Sequence, residues 1–283
     1  MRHRVDHLIT LAAGLCAALA IGVIAFIVGA LIWRGATALS WQFLTEHIRL
    51  VGAAGGVFYN IVGTLILAAT ALLVSTPLAI GAALVHSVYL RSERSRERLW
   101  LVLSAWNGVP SILLGLFGLM VFVKFFGWGK SWLAGGVLLG FMILPVAAVA
   151  LIERIQALPR RYIEAAAGLG LRQGQVVWWV ILPQCSGGLV TGSLLGVARA
   201  AGETAPVMFT ATIFAGATLP RGVMDSPVLT LPYHIFVLSQ DSFDPSVGAK
   251  IWGAALVLLL LVFGLSVAAL PWRLRMHEEA RDG

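Results

Sequence analysis

Two residues of opposite charge, Arg199 and Glu203, stand four positions apart in an otherwise apolar stretch from about residue 187 to 214. This spacing brings two side chains to one face of an α-helix, within reach of a salt bridge. Charged groups are costly in an apolar medium, so the pair should face a bundle interior or a water-filled path. The arginine would favour an oxyanion there, because its planar donors match two oxygen atoms.

Small residues fall on the same predicted helix face as this charged pair, and together they form a stripe along the helix. On a continuous helix Gly188, Gly192 and Gly196 fall on the same face, followed by Thr210 beyond a bend at Pro206. In one interpretation the glycines permit close helix packing and the charged pair is a buried brace. In the other, the stripe lines a conduit in which the arginine attracts an anion and the glutamate neutralises it when no substrate is present. The spacing alone does not separate the two interpretations.

Patterns for catalysis or for a cofactor are not found. The six histidines make no metal-binding pair, and Ser193, in the same stretch as the charged pair, has no intramembrane histidine to activate it. We therefore expect no enzyme, no metal site and no cofactor in this chain, and an energy source elsewhere.

The composition indicates a membrane protein. Of 283 residues, 59% are hydrophobic and 12% charged, and the mean hydropathy is +0.90. So few charges could not cover the surface of a soluble domain. This excludes a cytosolic enzyme, a free nucleic-acid-binding protein and a disordered tail.

Six apolar runs are long enough to cross a bilayer as helices. They cover residues 8–33, about 58–84, 99–123, 131–152, about 187–214 and 251–272. The first run continues 13 residues beyond Ala20, where a signal peptide could be cleaved, so we expect an uncleaved helix. The predicted fold is an all-α integral membrane protein with six transmembrane helices in a single domain, residues 1–283.

The basic residues predict the orientation. Thirteen of the 20 Lys and Arg residues fall in segments on the side of the N-terminus, against six on the other side. By the positive-inside rule both termini and the segment of about 153–186 are cytoplasmic. The isoelectric point of about 10.1 then reflects topology rather than binding to nucleic acid.

The inner segment has a helical pattern of its own. Residues 160–169 are alanine-rich and should form a short helix that ends at Gly170 in a left-handed conformation. A second short helix over residues 172–181 should follow and lead to Leu182 and Pro183. Two short helices at the inner face suit docking to a partner, and a solvated amphipathic loop is the alternative.

The inner segment contains a spaced motif, with Glu-Ala-Ala at 164–166, a glycine at 170 and Val-Ile-Leu-Pro at 180–183. This motif is similar to the EAA loop of ABC-importer permeases, and Val180 is its only departure from that pattern. The resemblance implies that this segment is a cytoplasmic coupling helix seated on a separate ATPase subunit that binds ATP. The residues it places at that contact are Glu164, Ala165, Ala166, Gly170, Leu182 and Pro183.

Other stretches resemble the permeases of phosphate importers. They are RAAGETAPVMFTA (199–211), NGVPSILLGLF (107–117), GGVFYNIVGTL (55–65) and TPLAIGAALV (76–85), and the first is closer to the PstA type than to its PstC partner. The resemblance implies a permease subunit of an ATP-driven phosphate importer in the bacterial inner membrane. Its implied partners are a PstC-type permease, an ATPase dimer and an external phosphate-binding protein. The candidate residues of the translocation path are Arg199, Glu203, Thr210, Pro110 and Ser111.

Three alternatives stay open at this point. One is an ABC-importer permease for another oxyanion or small solute. A second is an ion-coupled secondary transporter that uses Glu203 as its proton site, although no second intramembrane carboxylate is present in the sequence. The third is an intramembrane phosphatase acting on lipid phosphates, which would need a nucleophile or an acidic metal cluster.

Overall fold

The computed structural model describes residues 2–49, 54–214, 216, 219–240 and 245–268. Its regular elements are helices, apart from a short antiparallel ladder between β1 (Ile48–Arg49) and β2 (Ala54–Gly55) and a single bridge between Thr212 and Val228. The helices are α1 (Arg2–Ala36), α2 (Trp41–Thr45), α3 (Phe58–Tyr89), α4 (Glu93–Asn107), α5 (Ser111–Phe125), α6 (Trp132–Gln156), α7 (Arg160–Gly168), α8 (Gln173–Gly202), α9 (Ala205–Thr210), α10 (Leu231–Gln240) and α11 (Pro245–Ala268).

Helices α1, α3, α6, α8 and α11 are each long and apolar enough to cross a membrane. The third predicted span, residues 99–123, is not a straight helix, because α4 and α5 meet at a bend of 90°. The break falls at residues 108–110. Pro110 donates no backbone hydrogen bond and disfavours helical geometry in the residue before it, and Asn-Gly is a common turn sequence. The bent pair brings the number of possible spans in the described chain to six, as predicted.

The fifth predicted span is shifted along the chain. Helix α8 begins at Gln173 and ends at Gly202, whereas the sequence predicted a span of about 187–214. The predicted second short helix of the inner segment is therefore the first part of α8, and Leu182 and Pro183 lie inside this helix. Helix α7 is confirmed at 160–168, and Gly170 has a φ of +77°.

Part of the sixth predicted span lies outside the described residues. Helix α11 confirms the sixth span as far as Ala268. The rest of that span, with the basic residues Arg273, Arg275 and Arg281 that supported a cytoplasmic C-terminus, is not among the described residues.

Small residues bring α8 close to α6 at the centre of the bundle. A Cβ atom added at Gly192 would lie 2.8 Å from the Cβ of Ala150 and 2.9 Å from the Cα of Ala147. Gly188 and Gly196 meet Arg154 and Ile143 of α6 in the same way. The backbones of membrane helices approach closely where such residues line the contact, which maximises van der Waals packing. The glycine part of the predicted stripe is therefore a helix-packing surface.

This contact predicts different effects for two neighbouring glycines. Gly192→Ala should lower the free energy of unfolding of the assembled protein by about 1–3 kcal/mol, because the added methyl group overlaps the backbone of α6. Gly187→Ala is the matched control, since a Cβ at Gly187 meets nothing within 4 Å. Thermal unfolding of the purified protein measures both variants. Equal melting temperatures for the two would contradict the packing assignment.

A buried polar cluster joins α10 to the start of α3. The Asn60 side-chain amide donates to the carbonyl oxygen of Thr230 over 3.2 Å, and the backbone N–H of Leu231 donates to the Thr64 hydroxyl over 3.0 Å. His234 lies in the same turn of α10 and is buried; this burial, aided by the charge of Lys250, lowers its pKa to about 4. His234 is therefore neutral at pH 7. The cluster thus gives Asn60, Leu231 and His234 a structural role.

Candidate functional site

Two interrupted helices meet beside the predicted charged pair. Helix α8 ends at Gly202, Glu203 has extended backbone geometry (φ −77°, ψ 128°), and α9 begins at Ala205. Helix α9 packs against α5, the helix that follows the other break. A Cβ atom added at Gly115 of α5 would lie 2.9 Å from the Phe209 ring and 3.0 Å from the Cα of Pro206. The breaks at 108–110 and 203–204 therefore occur in two segments that pack together.

The interruption corrects the predicted stripe. Because α8 stops at Gly202, neither Glu203 nor Thr210 continues the helical face that carries the glycines. Thr210 lies in α9, is fully buried, and donates its hydroxyl hydrogen to the carbonyl oxygen of Pro206 over 2.8 Å. Its hydroxyl group thus reaches no open surface of this subunit.

Arg199 and Glu203 nevertheless remain close to each other. The Arg199 Nε and Glu203 Oε1 atoms are 3.7 Å apart, which is an ion pair but too long for a hydrogen bond. Their side chains keep 35% and 18% of their surface exposed, so the pair lies at a surface of this subunit rather than deep in its core. An accessible arginine beside a carboxylate can exchange that partner for an anion.

The shortest polar contact of Arg199 is to a residue that the sequence did not predict. Its Nη1 atom donates to Oδ1 of Asn107 over 2.7 Å, a short charge-assisted hydrogen bond. Asn107 is the last residue of α4, at the edge of the first break, and it is exposed. The sequence contains one signal for this residue, an asparagine followed by a glycine inside an otherwise apolar run. The candidate site thus consists of Arg199, Glu203 and Asn107.

The position of Asn107 follows from its neighbour. Pro145 lies inside α6 and has no N–H, so it leaves the carbonyl of Phe141, four residues earlier, without its usual helical donor. The indole Nε1 of Trp106 donates to that carbonyl oxygen over 3.0 Å. In lipid an unsatisfied carbonyl is costly, so this bond holds the end of α4 against α6.

A double-mutant cycle tests this anchor. Trp106→Phe should destabilise the assembled protein by about 1–3 kcal/mol, since it leaves the Phe141 carbonyl unpaired. In a Pro145→Ala background the helix supplies its own donor, so the same substitution should cost much less. Thermal unfolding of the four proteins gives the coupling energy. A coupling energy near zero would show that the indole does not serve this carbonyl.

The remaining predicted path residues lie at the first break. Pro110 immediately precedes α5 and is exposed, and Ser111 is the first residue of α5 and is half-buried. Both follow Asn107 within four positions. The structure therefore brings Pro110 and Ser111 to the break that carries the Arg199 contact.

Apart from Gly170, the predicted coupling residues lie on two helices, α7 and α8. Glu164 and Ala165 are exposed on α7, whereas Ala166 is buried in a core formed with the ends of α3, α6 and α8. Behind α7 lies a cavity of about 600 Å³ whose lining includes Arg96 and Arg160. Helix α7 therefore presents polar and small side chains and Ile163 outward, and its buried residue is Ala166. Leu182 and Pro183 belong to α8 instead. Among the described residues no cluster of three or more metal-ligating side chains is found.

Broken membrane helices around charged side chains are a recurring feature of the substrate sites of transporters. The chain belongs to the family of binding-protein-dependent transport system inner membrane components, whose profile matches residues 75–273. It is a multi-pass permease subunit of an ABC importer.

Named relatives agree with this family. The chain is 27% identical over 278 residues to a probable ABC transporter permease protein, YqgI, of Bacillus subtilis, covering 93% of each protein. It is 31% identical to the phosphate transport system permease protein PstA 2 of Mycobacterium bovis, covering 93% of this chain and 85% of the relative. For the phosphate transport system permease protein PstA of Haemophilus influenzae the identity is 29%, with 82% and 81% covered.

A solved structure supports the fold. An inward-facing structure of the MetNI methionine ABC transporter superposes with a TM-score of 0.59, covering 78% of this chain and 94% of that chain. The sequence identity is 15%, so this likeness concerns the fold alone.

Proposed function

We propose that this chain is the PstA-type permease subunit of an ATP-driven phosphate importer in the bacterial inner membrane. The observation that carries the proposal is the accessible Arg199 held between Asn107 and Glu203 where two broken helices meet. Interrupted helices with charged groups near the middle of the bundle form the ion and substrate sites of many transporters. The relatives named as phosphate permeases support phosphate as the anion.

The proposed partners follow from the surfaces that this subunit leaves open. A PstC-type permease forms the other half of the translocation path and faces the surface of this subunit that carries Arg199. An ATPase dimer docks against α7 through Glu164 and Ala165 and binds the ATP, while this chain holds no cofactor. An external phosphate-binding protein delivers substrate on the opposite side. In this arrangement α7 and both chain termini are cytoplasmic.

The proposed mechanism is alternating access. Closure of the ATPase dimer on ATP moves α7, and through it α8 and the other spans, which opens the path to the outside. Phosphate released by the binding protein then replaces Glu203 at the guanidinium of Arg199. Glu203 competes for the same guanidinium, which prevents the anion from being held too tightly to leave on the inner side. Each state is favoured by the ligand that binds it better.

Three other functions make different predictions. A permease for another oxyanion would keep the same architecture and assembly, and would differ only in the anion that is transported. An ion-coupled transporter using Glu203 as its proton site, or a lipid phosphatase, would not copurify with an ATPase. Copurification therefore separates the importer from both of these alternatives.

The role of Arg199 can be tested by phosphate uptake in cells that lack this chain. Wild type should restore uptake, and Arg199→Ala should abolish it while the complex still assembles at normal levels, because the anion loses its cationic partner, Arg199. Arg49→Ala is the control, since Arg49 forms a similar exposed pair with Glu46 away from the site. Failure of Arg199→Ala to assemble would instead support a structural brace.

The role of α7 can be tested by charge reversal. Glu164→Arg should uncouple ATP hydrolysis from transport and lower uptake by about tenfold or more, which corresponds to losing about 1.4 kcal/mol at the ATPase contact. Glu97→Arg is the control, because Glu97 is an exposed carboxylate on α4 outside the docking segment. ATPase activity and uptake are measured on the same reconstituted complex. Unchanged uptake by Glu164→Arg would contradict the docking assignment.

A further inference from the structure

Asn107 is placed to do more than brace a helix end. It approaches Arg199 more closely than Glu203 does, 2.7 Å against 3.7 Å, so the nearest partner of the guanidinium is the neutral side chain. Its backbone is fixed through the bond from Trp106 to α6, yet its own side chain is exposed. A polar group on a fixed backbone, open to solvent and touching the arginine, has the features of a substrate contact.

A neutral partner suits an arginine that must bind and release an anion. A carboxylate hydrogen-bonded to the guanidinium would cancel its charge and compete strongly with the anion. An amide oxygen satisfies one donor of the guanidinium without removing the charge. Arg199 thus stays partnered between transport events. Because Glu203 is held at 3.7 Å and is not hydrogen-bonded, part of the attractive field of the arginine remains for an oxyanion.

The Asn107 side chain can also donate a hydrogen bond, in addition to accepting one. An asparagine side chain has an acceptor, Oδ1, and a donor group, Nδ2, related by a half-turn about χ2. Rotation about this terminal bond between sp³ and sp² atoms has two broad minima of similar shape. The side chain that now accepts from Arg199 can therefore donate to an anion without any movement of the backbone.

We propose that Asn107 is a substrate-contact residue of the translocation site, which accepts from Arg199 when the site is empty and turns its amide group to donate to the anion when the site is filled. The proposal rests on the proposed function as a phosphate permease. It adds a neutral donor to a site in which Arg199 supplies the positive charge and Glu203 the competing negative charge. An oxyanion then meets donors from both interrupted helices, α4 and α8.

The first test of the contact is the substitution Asn107→Asp. Aspartate has the same shape and keeps or strengthens the link to Arg199, but it offers the anion no donor and adds a negative charge. We expect the complete complex, reconstituted in vesicles with its ATPase and binding protein, to assemble normally. The maximal rate of uptake of radiolabelled inorganic phosphate should fall roughly 10- to 100-fold, the range for loss of a hydrogen bond to a charged group. The concentration of loaded binding protein that gives half-maximal uptake should stay unchanged, because docking occurs on another surface.

Transport of phosphate at the wild-type rate by Asn107→Asp would overturn the inference. A reduced rate can come from the lost donor or from the new charge beside Arg199, so two uncharged variants decide between these causes, also where the aspartate complex fails to assemble. Asn107→Ser keeps a donor and an acceptor, whereas Asn107→Leu keeps the size without either, so the serine variant should transport about ten times faster. Equal rates for these two would overturn the proposal as well.

The same assay distinguishes the failure of the inference from the failure of the proposed function. A wild-type complex that takes up no phosphate contradicts the function, and with it the contact assigned to Asn107. A wild-type complex that transports phosphate, together with Asn107 variants that all match it, contradicts the contact alone.

Discussion

The hydrogen bond from the Trp106 indole to the Phe141 carbonyl is the constraint on which the site depends. Pro145 removes the helical donor of that carbonyl within α6, the most buried of the spans, and lipid offers no water to replace it. The indole of Trp106 supplies the donor from another helix, and this holds the end of α4 against α6. The chain then turns by 90° into α5. Asn107, one residue after the indole, is consequently held at the bend.

The second requirement is the close contact of α8 with α6. Glycines at 188, 192 and 196 face α6, and one turn further on Arg199 emerges next to Asn107. The two interpretations of the stripe thus apply to different parts of it. Its glycine part packs against a neighbouring helix, and its charged end reaches an open surface. Both breaks are accommodated because α5 and α9, the helices that follow them, pack against each other.

Much of this architecture could be predicted from the sequence, and the exceptions have physical causes. Apolar run lengths gave the spans, and the pattern of alanines followed by Gly170 gave α7 nearly to the residue. The early start of α8 could not be predicted from hydropathy. Residues 173–181 include two tryptophans and several valines, which suit either a loop at the membrane interface or a helix. The signals for the first break, Asn107-Gly108 and Pro110, were present in the sequence but lay within a run that composition alone favours as one helix.

Among the site residues, too, some contacts could be predicted from the sequence and others could not. The i, i+4 spacing correctly brought Arg199 and Glu203 together, although the glutamate lies just beyond the helix that the spacing assumed. Asn107 could not be paired with Arg199 from sequence, since 92 residues and a tertiary packing arrangement separate them. The burial of Thr210 was equally hidden, because a threonine hydroxyl can bond its own helix as readily as it can face a path.

The length of α8 lets it transmit motion across the subunit. It runs from Gln173, just after the turn that ends α7, to Gly202, with π-helical geometry over Val177–Ile181. At 1.5 Å per residue its arm from Gln173 to Arg199 is about 39 Å long. A tilt of about 5° pivoting at the inner end displaces the far end by about 3 Å, more than the full length of the bond between Arg199 and Asn107. Small rotations at the cytoplasmic end are thus amplified into the making or breaking of a single contact at the other.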